Sequence, residues 1–327
     1  MTLIEKIKTA FANIKILATR SVSVAETVNP SASVEAEYGS TTIEGSLLTL
    51  AHHGANSSNP CPCVGDNFHS IVTQQLETIL VSHFDLDTLG GVMRLVGLKD
   101  FDMEEDNDIF WRLASFIDLN GPHKISGFFY TELKRRGLFT DDSSSTYYCQ
   151  CECDEAIEAL EGFWAWSEAN RLNVPGEDVP ASDITEHFVR AAYVASLLIE
   201  GDDCNDETQS LLAAGKAWKA AKDSLEKESF VLGFDDVILR QSASFVNHLY
   251  SHGNCTVKAV VGFNTKFKAV TISLADAIPG FSCAEFAQEL WGKEAGGHAG
   301  IAGSPRGKEM TLADANAALI VLAERLR

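Results

Sequence analysis

The amino-acid sequence predicts an α/β protein: a parallel-sheet N-terminal domain, a helical middle and a smaller α/β C-terminal domain. Three observations carry this. Residues Thr78–Val81 form a short β-branched and apolar run that leads into apolar residues at helical spacing (Leu89, Val92, Met93, Leu95, Val96). Helical patterns fill the middle, from Asp154 to Trp166, Ser182 to Leu198 and Glu207 to Glu228. Two alternating segments, Thr256–Phe263 and Lys266–Leu274, flank Gly262-Phe263-Asn264-Thr265 as a hairpin does.

In chain order, Leu3, Ile7, Phe11, Ile14 and Leu17 mark an amphipathic first helix, and Ser21–Ala36, rich in Ser, Val, Ala and Pro, reads as a connector. Residues 37–53 suggest a strand or hairpin ending in His52 and His53, followed by a polar loop containing Cys61-Pro62-Cys63. As strand residues the two histidines would point to opposite faces, so that only one could reach a given site. Near the C-terminus, Ser282 and Glu285 give a capping-box pattern for a helix that runs to Trp291 and stops at Gly292, and a last helix spans Thr311–Leu326. The expected divisions are a helix and connector over 1–36, a metal-binding domain over 37–228 and a substrate-binding domain over 229–327.

Composition narrows the partners. The 327 residues, 45% of them hydrophobic, suffice for two cores, and no apolar run is long enough to span a bilayer. Without the apolar core and cleavage pattern of a secretory signal, the expectation is a cytoplasmic protein whose eight Cys are thiols or ligands. Cys149, Cys151 and Cys153 are spaced too closely for the usual structural zinc pattern, and ordinary thiols are expected there. Net charge is −20; from Thr256 onward eight Lys and Arg face seven Asp and Glu, so the preceding residues carry −21. Such a field repels duplex DNA and leaves a small phosphorylated substrate or a protein partner; no membrane partner is expected. The acidic run from Asp100 to Asp108 reads as solvated surface.

Two segments carry chemistry. After Val81 the chain continues Ser82-His83-Phe84-Asp85-Leu86-Asp87. If the backbone stays extended through Asp87, His83, Asp85 and Asp87 project to one side, and two carboxylates so close call for a cation. Imidazole and oxygen donors suit Mn, Mg, Fe or Zn, while the plainer alternative is that Asp85 caps the next helix. The second segment is Gly296-Gly297-His298-Ala299-Gly300-Ile301-Ala302-Gly303-Ser304-Pro305-Arg306. Dense glycines bring backbone N–H groups close to an anion, and His298 and Arg306 add a donor and a positive charge, as in a phosphate or carboxylate cradle. Arg240 and His248 precede this segment and are candidates to contribute to it.

Together these segments resemble the DHH phosphoesterase superfamily with its DHH-associated C-terminal domain. Asp85-Leu86-Asp87 after a strand is similar to that family's first motif, and Gly296–Gly303 to its glycine-rich C-terminal motif. No Asp-His-His triplet occurs; Phe116-Ile117-Asp118, with His123 five residues on, is the nearest substitute. The resemblance implies hydrolysis of a phosphodiester or phosphoanhydride bond in a small nucleotide or short oligonucleotide, in the cleft between domains, with a divalent metal, manganese first among the candidates. It implies Asp85 and Asp87 as ligands, with His83, Asp118 and His123 as further ligands or proton-transfer groups, and His52 or His53 as an alternative ligand. Gly296, Gly297, His298, Gly300, Gly303, Ser304 and Arg306 would hold the substrate. The other function class left open is a catalytically reduced member that binds a nucleotide or similar phosphorylated ligand in a regulatory role.

Overall fold

Four parallel strands, read from their carboxyl ends, organise the first of two units into which the chain divides, Met1–Ser115 with Phe128–Trp218. The computed structural model describes residues 1–38, 41–43, 46, 48–53, 56, 58–64, 76–99, 109–138, 143–176, 179–200, 205–234, 236–244, 257–305 and 308–327.

Helix α1 (Leu3–Phe11) opens on a complete capping box, Thr2 with Glu5, and buries Ile7 and Phe11. The apolar periodicity that continues to Leu17 in the sequence belongs instead to strand β1 (Lys15–Ala18), where alternation takes over and Ile16 and Ala18 turn into the core. The stretch read as a connector is ordered as helix α2 (Val22–Val28), capped by Ser21 and ended by left-handed Asn29, and strand β2 (Ala32–Val34). Small residues there signalled a linker; they are small because β2 lies inside a sheet and is buried throughout. Strands β3 (Glu37–Tyr38) and β4 (Thr41–Thr42) form a short hairpin, and β5 (Leu48–Leu50) follows.

Strand β6 (Thr78–Val81) leads into helix α3 (Leu86–Leu95), every residue of which is buried. Helices α4 (Ile109–Asn120), α5 (Phe128–Arg135) and α6 (Ser143–Ala169) come next. The predicted Ser182–Leu198 helix is a two-residue strand, β7 (Ser182–Asp183), and then α7 (Thr185–Glu200), because Asp183 accepts from the Thr185 N–H and hydroxyl at the helix start. Helix α8 (Asp206–Glu228) completes the run. The sheet order is β5-β2-β6-β1-β7, parallel from β5 to β1 with β7 antiparallel at the edge. Its core includes Ile16, Ile79, Leu80, Leu89, Trp111 and Phe188.

The second unit joins Phe116–Gly127 to Lys219–Arg327. Strands β8 (Phe230–Phe234), β9 (Val237–Ser242), β10 (Ala259–Asn264) and β11 (Ala269–Leu274) are followed by α9 (Cys283–Trp291), β12 (Gly296–Gly297), β13 (Ile301–Gly303) and α10 (Leu312–Arg325). Their order is β12-β13-β11-β10-β9-β8. The hairpin read from the sequence is β10 against β11, antiparallel from Ala259↔Leu274 to Asn264↔Ala269. Side chains of Leu239, Val261, Phe263 and Ile272 from the sheet share a core with Phe286 of α9 and Leu319 and Leu322 of α10. The chain is thus a mixed helix-and-sheet protein with several sheets. Among the described residues no helix is long and apolar enough to cross a membrane.

Helices α6 and α8 touch backbone to backbone. A Cβ on Gly215 would lie 2.5 Å from the Gly162 nitrogen and 2.8 Å from the Glu161 carbonyl carbon, neither of which can swing aside. Gly215→Leu is expected to cost about 1–3 kcal/mol through overpacking and to lower the unfolding midpoint in a thermal melt, whereas Gly176→Ala, with open space around it, should leave the midpoint in place.

Candidate metal centre

Register brings the site together. Val34 of β2 pairs with Leu50 of β5 on one side and Val81 of β6 on the other, so three neighbouring strands end at the same level. Glu35, Ala51-His52 and Ser82-His83 therefore leave the sheet side by side at the carboxyl edge, where open α/β sheets bind ligands. The Ser82 hydroxyl donates to the Glu35 carbonyl, and the Glu35 N–H donates to Leu50 at 2.9 Å. Glu35 itself takes a left-handed φ of 48°, a conformation that costs an L-residue and bends the chain sharply at the strand end.

Around this edge lie Glu35, His52, Cys61 and Asp87, all buried. His52 Nε2 is 3.0 Å from Asp87 Oδ2 and 3.7 Å from Glu35 Oε1, and its Nδ1 is 3.5 Å from Cys61 Sγ. His53 Nε2 is 2.9 Å from Glu35 Oε2. Both adjacent imidazoles thus meet one carboxylate, with ring centroids 4.4 Å apart. The opposite-face expectation fails because β5 ends at Leu50 and strand alternation ends with it. One donor atom each from His52, Cys61 and Asp87 lies within 4.8 Å of the others, which is the spacing of a group that could hold a metal ion.

The loop carrying Cys61 is seated on α3. The Cys63 N–H donates to Asp87 Oδ1 at 2.8 Å, buried Arg94 donates to the Pro62 carbonyl at 3.2 Å, and Lys99 donates to the Cys63 carbonyl at 2.5 Å. Gly90 and Gly91 make the seat possible. A Cβ on Gly91 would come within 2.8 Å of Pro62 Cβ and Val34 Cγ1, and one on Gly90 would collide with Cys63. Burial, then the nearby Asp87 carboxylate and Cys61, pushes the Cys63 thiol well above its ordinary range, so it stays protonated.

The structure separates the three residues that alternation had grouped. Extended geometry stops at Asp85, which is the N-cap of α3 and accepts the Thr88 N–H at 2.8 Å. His83 turns to Asp85, with Nε2 2.9 Å from Oδ2 and Nδ1 2.9 Å from the Ser82 hydroxyl. Burial opposes ionisation of Asp85, but His83 and the Thr88 N–H outweigh it and hold the carboxyl below the usual carboxylate range. Asp87, in the first turn of the helix, faces His52 instead.

The remaining sequence candidates lie in the second unit. Asp118 sits on a helix rather than at a strand end, because Ile109–Asn120 is helical throughout, and its Oδ2 is 3.4 Å from His298 Nε2. His123 donates from Nε2 to the Ala275 carbonyl, and burial lowers its pKa despite that acceptor. Gly296 and Gly297 pair with Gly303 and Ala302 as strands, and a Cβ on Gly297 would lie 2.5 Å from the Ile301 carbonyl oxygen. The His298 N–H donates to the Ile301 carbonyl at 2.6 Å, the Gly300 carbonyl accepts from Leu274, and the Ser304 hydroxyl accepts from Val270. Much of the glycine spacing is therefore spent on a tight hairpin. Arg240 is buried and donates to the Ser229 hydroxyl at 3.4 Å, while Arg306, His248 and the acidic run 100–108 lie outside the described residues.

Sequence reasoning missed Glu35 and passed over Cys61. Glu35 follows a strand hidden in an apparent linker, and its one signal was the short Ala32-Ser33-Val34 run before it. Cys61 had a signal, the Cys-Pro-Cys loop, but no way to show that His52 lay opposite. Cys149 and Cys153, one helical turn apart on α6, are buried, and burial raises both thiols, Cys153 to about 12, in keeping with ordinary thiols.

No family model matches this chain, and no curated protein matches it. Among solved structures, an uncharacterized protein from Helicobacter pylori G27 aligns with 86% of this chain and 76% of its own, at 12% identity and a TM-score of 0.22, too low to establish a common fold.

Phe84, between His83 and Asp85, is gripped by α6 and α7: its ring centroid lies 4.5 Å from His187, 5.3 Å from Phe188 and 6.5 Å from Phe163 and Trp166. Burial, helped by Arg190, lowers the His187 pKa from 6.5 to about 4. The native imidazole is then neutral where the unfolded one begins to protonate. Its contribution to stability is complete above pH 6.5 and is lost as pH falls from there toward about 4, at no more than about 1.4 kcal/mol per pH unit. Between about pH 7 and about pH 4 the unfolding midpoint should therefore fall less steeply in His187→Phe than in the wild type.

Proposed function

We propose that this chain is a divalent-metal-dependent phosphohydrolase, akin to the DHH phosphoesterases its two motifs resemble, acting on a phosphodiester or phosphoanhydride bond in a small nucleotide or short oligonucleotide. One observation carries the reading: imidazole, thiol and carboxylate donors of His52, Cys61 and Asp87 converge within 4.8 Å at the carboxyl edge of a parallel sheet. Buried groups of these types in one place fit a cation, which offsets the cost of burying a carboxylate. His52 and Cys61 would hold the ion, with Asp87 supplying negative charge beside them through the His52 ring; the ion when bound acidifies a water molecule and steadies charge on phosphorus.

The chain's own residues supply the rest. Asp87, fixed by the Cys63 N–H, orients the His52 ring. His53, with 23% of its side chain exposed against 1% for His52, is the imidazole that reaches solvent, and Glu35 beside it can hold or return its proton. Gly296, Gly297, His298, Gly300, Gly303, Ser304 and Arg306 are the residues that the resemblance assigns to the substrate. The strongly negative net charge of −20 favours a compact substrate over a long polyanion.

A second reading, phosphate-ligand binding without turnover, is favoured by one observation: His83 and Asp85 pair with each other at 2.9 Å, and Asp85 is spent as a helix cap. Assay of the full chain against short oligonucleotides, cyclic dinucleotides and nucleotide diphosphates, with and without divalent metal, separates the two. Metal-stimulated hydrolysis should fall at least about a hundredfold in Asp87→Ala. Tight binding without turnover would favour the second reading, and unchanged hydrolysis by the metal-free protein would sink the first.

A further inference from the structure

We propose that Cys61 makes this a thiolate-ligated centre that selects zinc over manganese. The proposal rests on the reading of His52, Cys61 and Asp87 as a metal site, and it deepens that reading by assigning the ion. The resemblance had pointed to manganese, a hard ion served by oxygen and imidazole donors; a sulfur donor changes the match.

The geometry supports the assignment. Zinc bonds of about 2.3 Å to sulfur and about 2.0 Å to nitrogen, at a tetrahedral angle, put the two donors about 3.5 Å apart. Cys61 Sγ and His52 Nδ1 are 3.5 Å apart. That distance is ordinary for a thiol–imidazole hydrogen bond, and it is also the length of one edge of a zinc tetrahedron, so zinc can replace the thiol proton without moving either donor. With Nδ1 given to the ion, Nε2 carries the proton and faces Asp87 Oδ2 at 3.0 Å. A carboxylate in that position fixes the ring and raises its basicity, so Asp87 serves the ion through His52 as well as through its own charge.

The sulfur is also held in place. Cys61 is 1% exposed, and the loop around it is tied to α3 by the Cys63 and Arg94 contacts and to the segment after it by Lys99. No rearrangement is needed to present Sγ to His52. The neighbouring thiol takes no part, since Cys63 Sγ donates to the Trp111 carbonyl at 3.7 Å.

Cobalt(II) is the probe, because a cobalt–thiolate bond gives an intense near-ultraviolet charge-transfer band that nitrogen and oxygen ligands do not give. The full-length chain, stripped of metal and titrated with cobalt, should develop that band, and zinc should abolish it while equimolar manganese leaves it unchanged. Cys61→Ser should lose the band, Cys151→Ser on α6 should keep it, and Cys61→Asp should bind cobalt without the band. In Cys61→Asp the preference for zinc over manganese in equilibrium dialysis should fall at least about tenfold. Cobalt binding without the band, or a band that survives Cys61→Ser, overturns the assignment of Cys61 while leaving the metal site standing. A wild-type chain that binds neither cobalt nor zinc overturns both.

Discussion

The level at which β5, β2 and β6 end is the constraint on which the candidate centre depends. Parallel pairing of Val34 with Leu50 and Val81 sets Glu35, His52 and Ser82 at one edge before any side chain interacts. A one-residue slip of β2 would exchange the two faces of a strand that is buried on both, and would move Glu35 away from both imidazoles. The short hydrogen-bonded link from Ser82 to the Glu35 carbonyl and the left-handed turn at Glu35 then convert register into a fixed position. Electrostatics act last, on groups that the sheet has already collected.

Burying Glu35 and Asp87 together has a cost that the protein meets with imidazoles and N–H donors rather than with arginines. Asp87 takes the Cys63 N–H and the His52 ring; Glu35 takes both rings. The outcome is a polar island among apolar strands, and its members are mutually dependent. A charge removed from such an island leaves its partner uncompensated in a low-dielectric surround.

Local patterns were legible in the sequence, and long-range convergence was not. Ser282 capping α9, Gly292 ending it with a φ of 97°, and the β10–β11 hairpin follow from residue type and spacing, because local backbone chemistry decides them. Asp87 was recognisable as a candidate ligand for the same reason, standing just past a buried strand. Glu35 and Cys61 were not, since each becomes meaningful only beside His52, and nothing local to either announces the other two. Asp85 shows the converse: a carboxylate at a strand end serves equally well as a helix cap, and the onset of α3 at Leu86 settles its use as one. The glycine-rich C-terminal segment gave a similar lesson, as its Gly297 answers to the backbone of Ile301 across a hairpin.

Glu35, His52, His53, Cys61 and Asp87 all come from one early stretch of chain, ahead of helices α4 to α8. In the first unit, aromatic contacts from α6 and α7 converge on the ring of Phe84, where Phe163, Trp166, His187 and Phe188 surround it between His83 and Asp85. Phe84 is thus a packing junction. Its ring ties the turn that precedes α3, and with it the approach to Asp87, to both helices, while the strand-end carboxylate at Glu35 is held by the sheet.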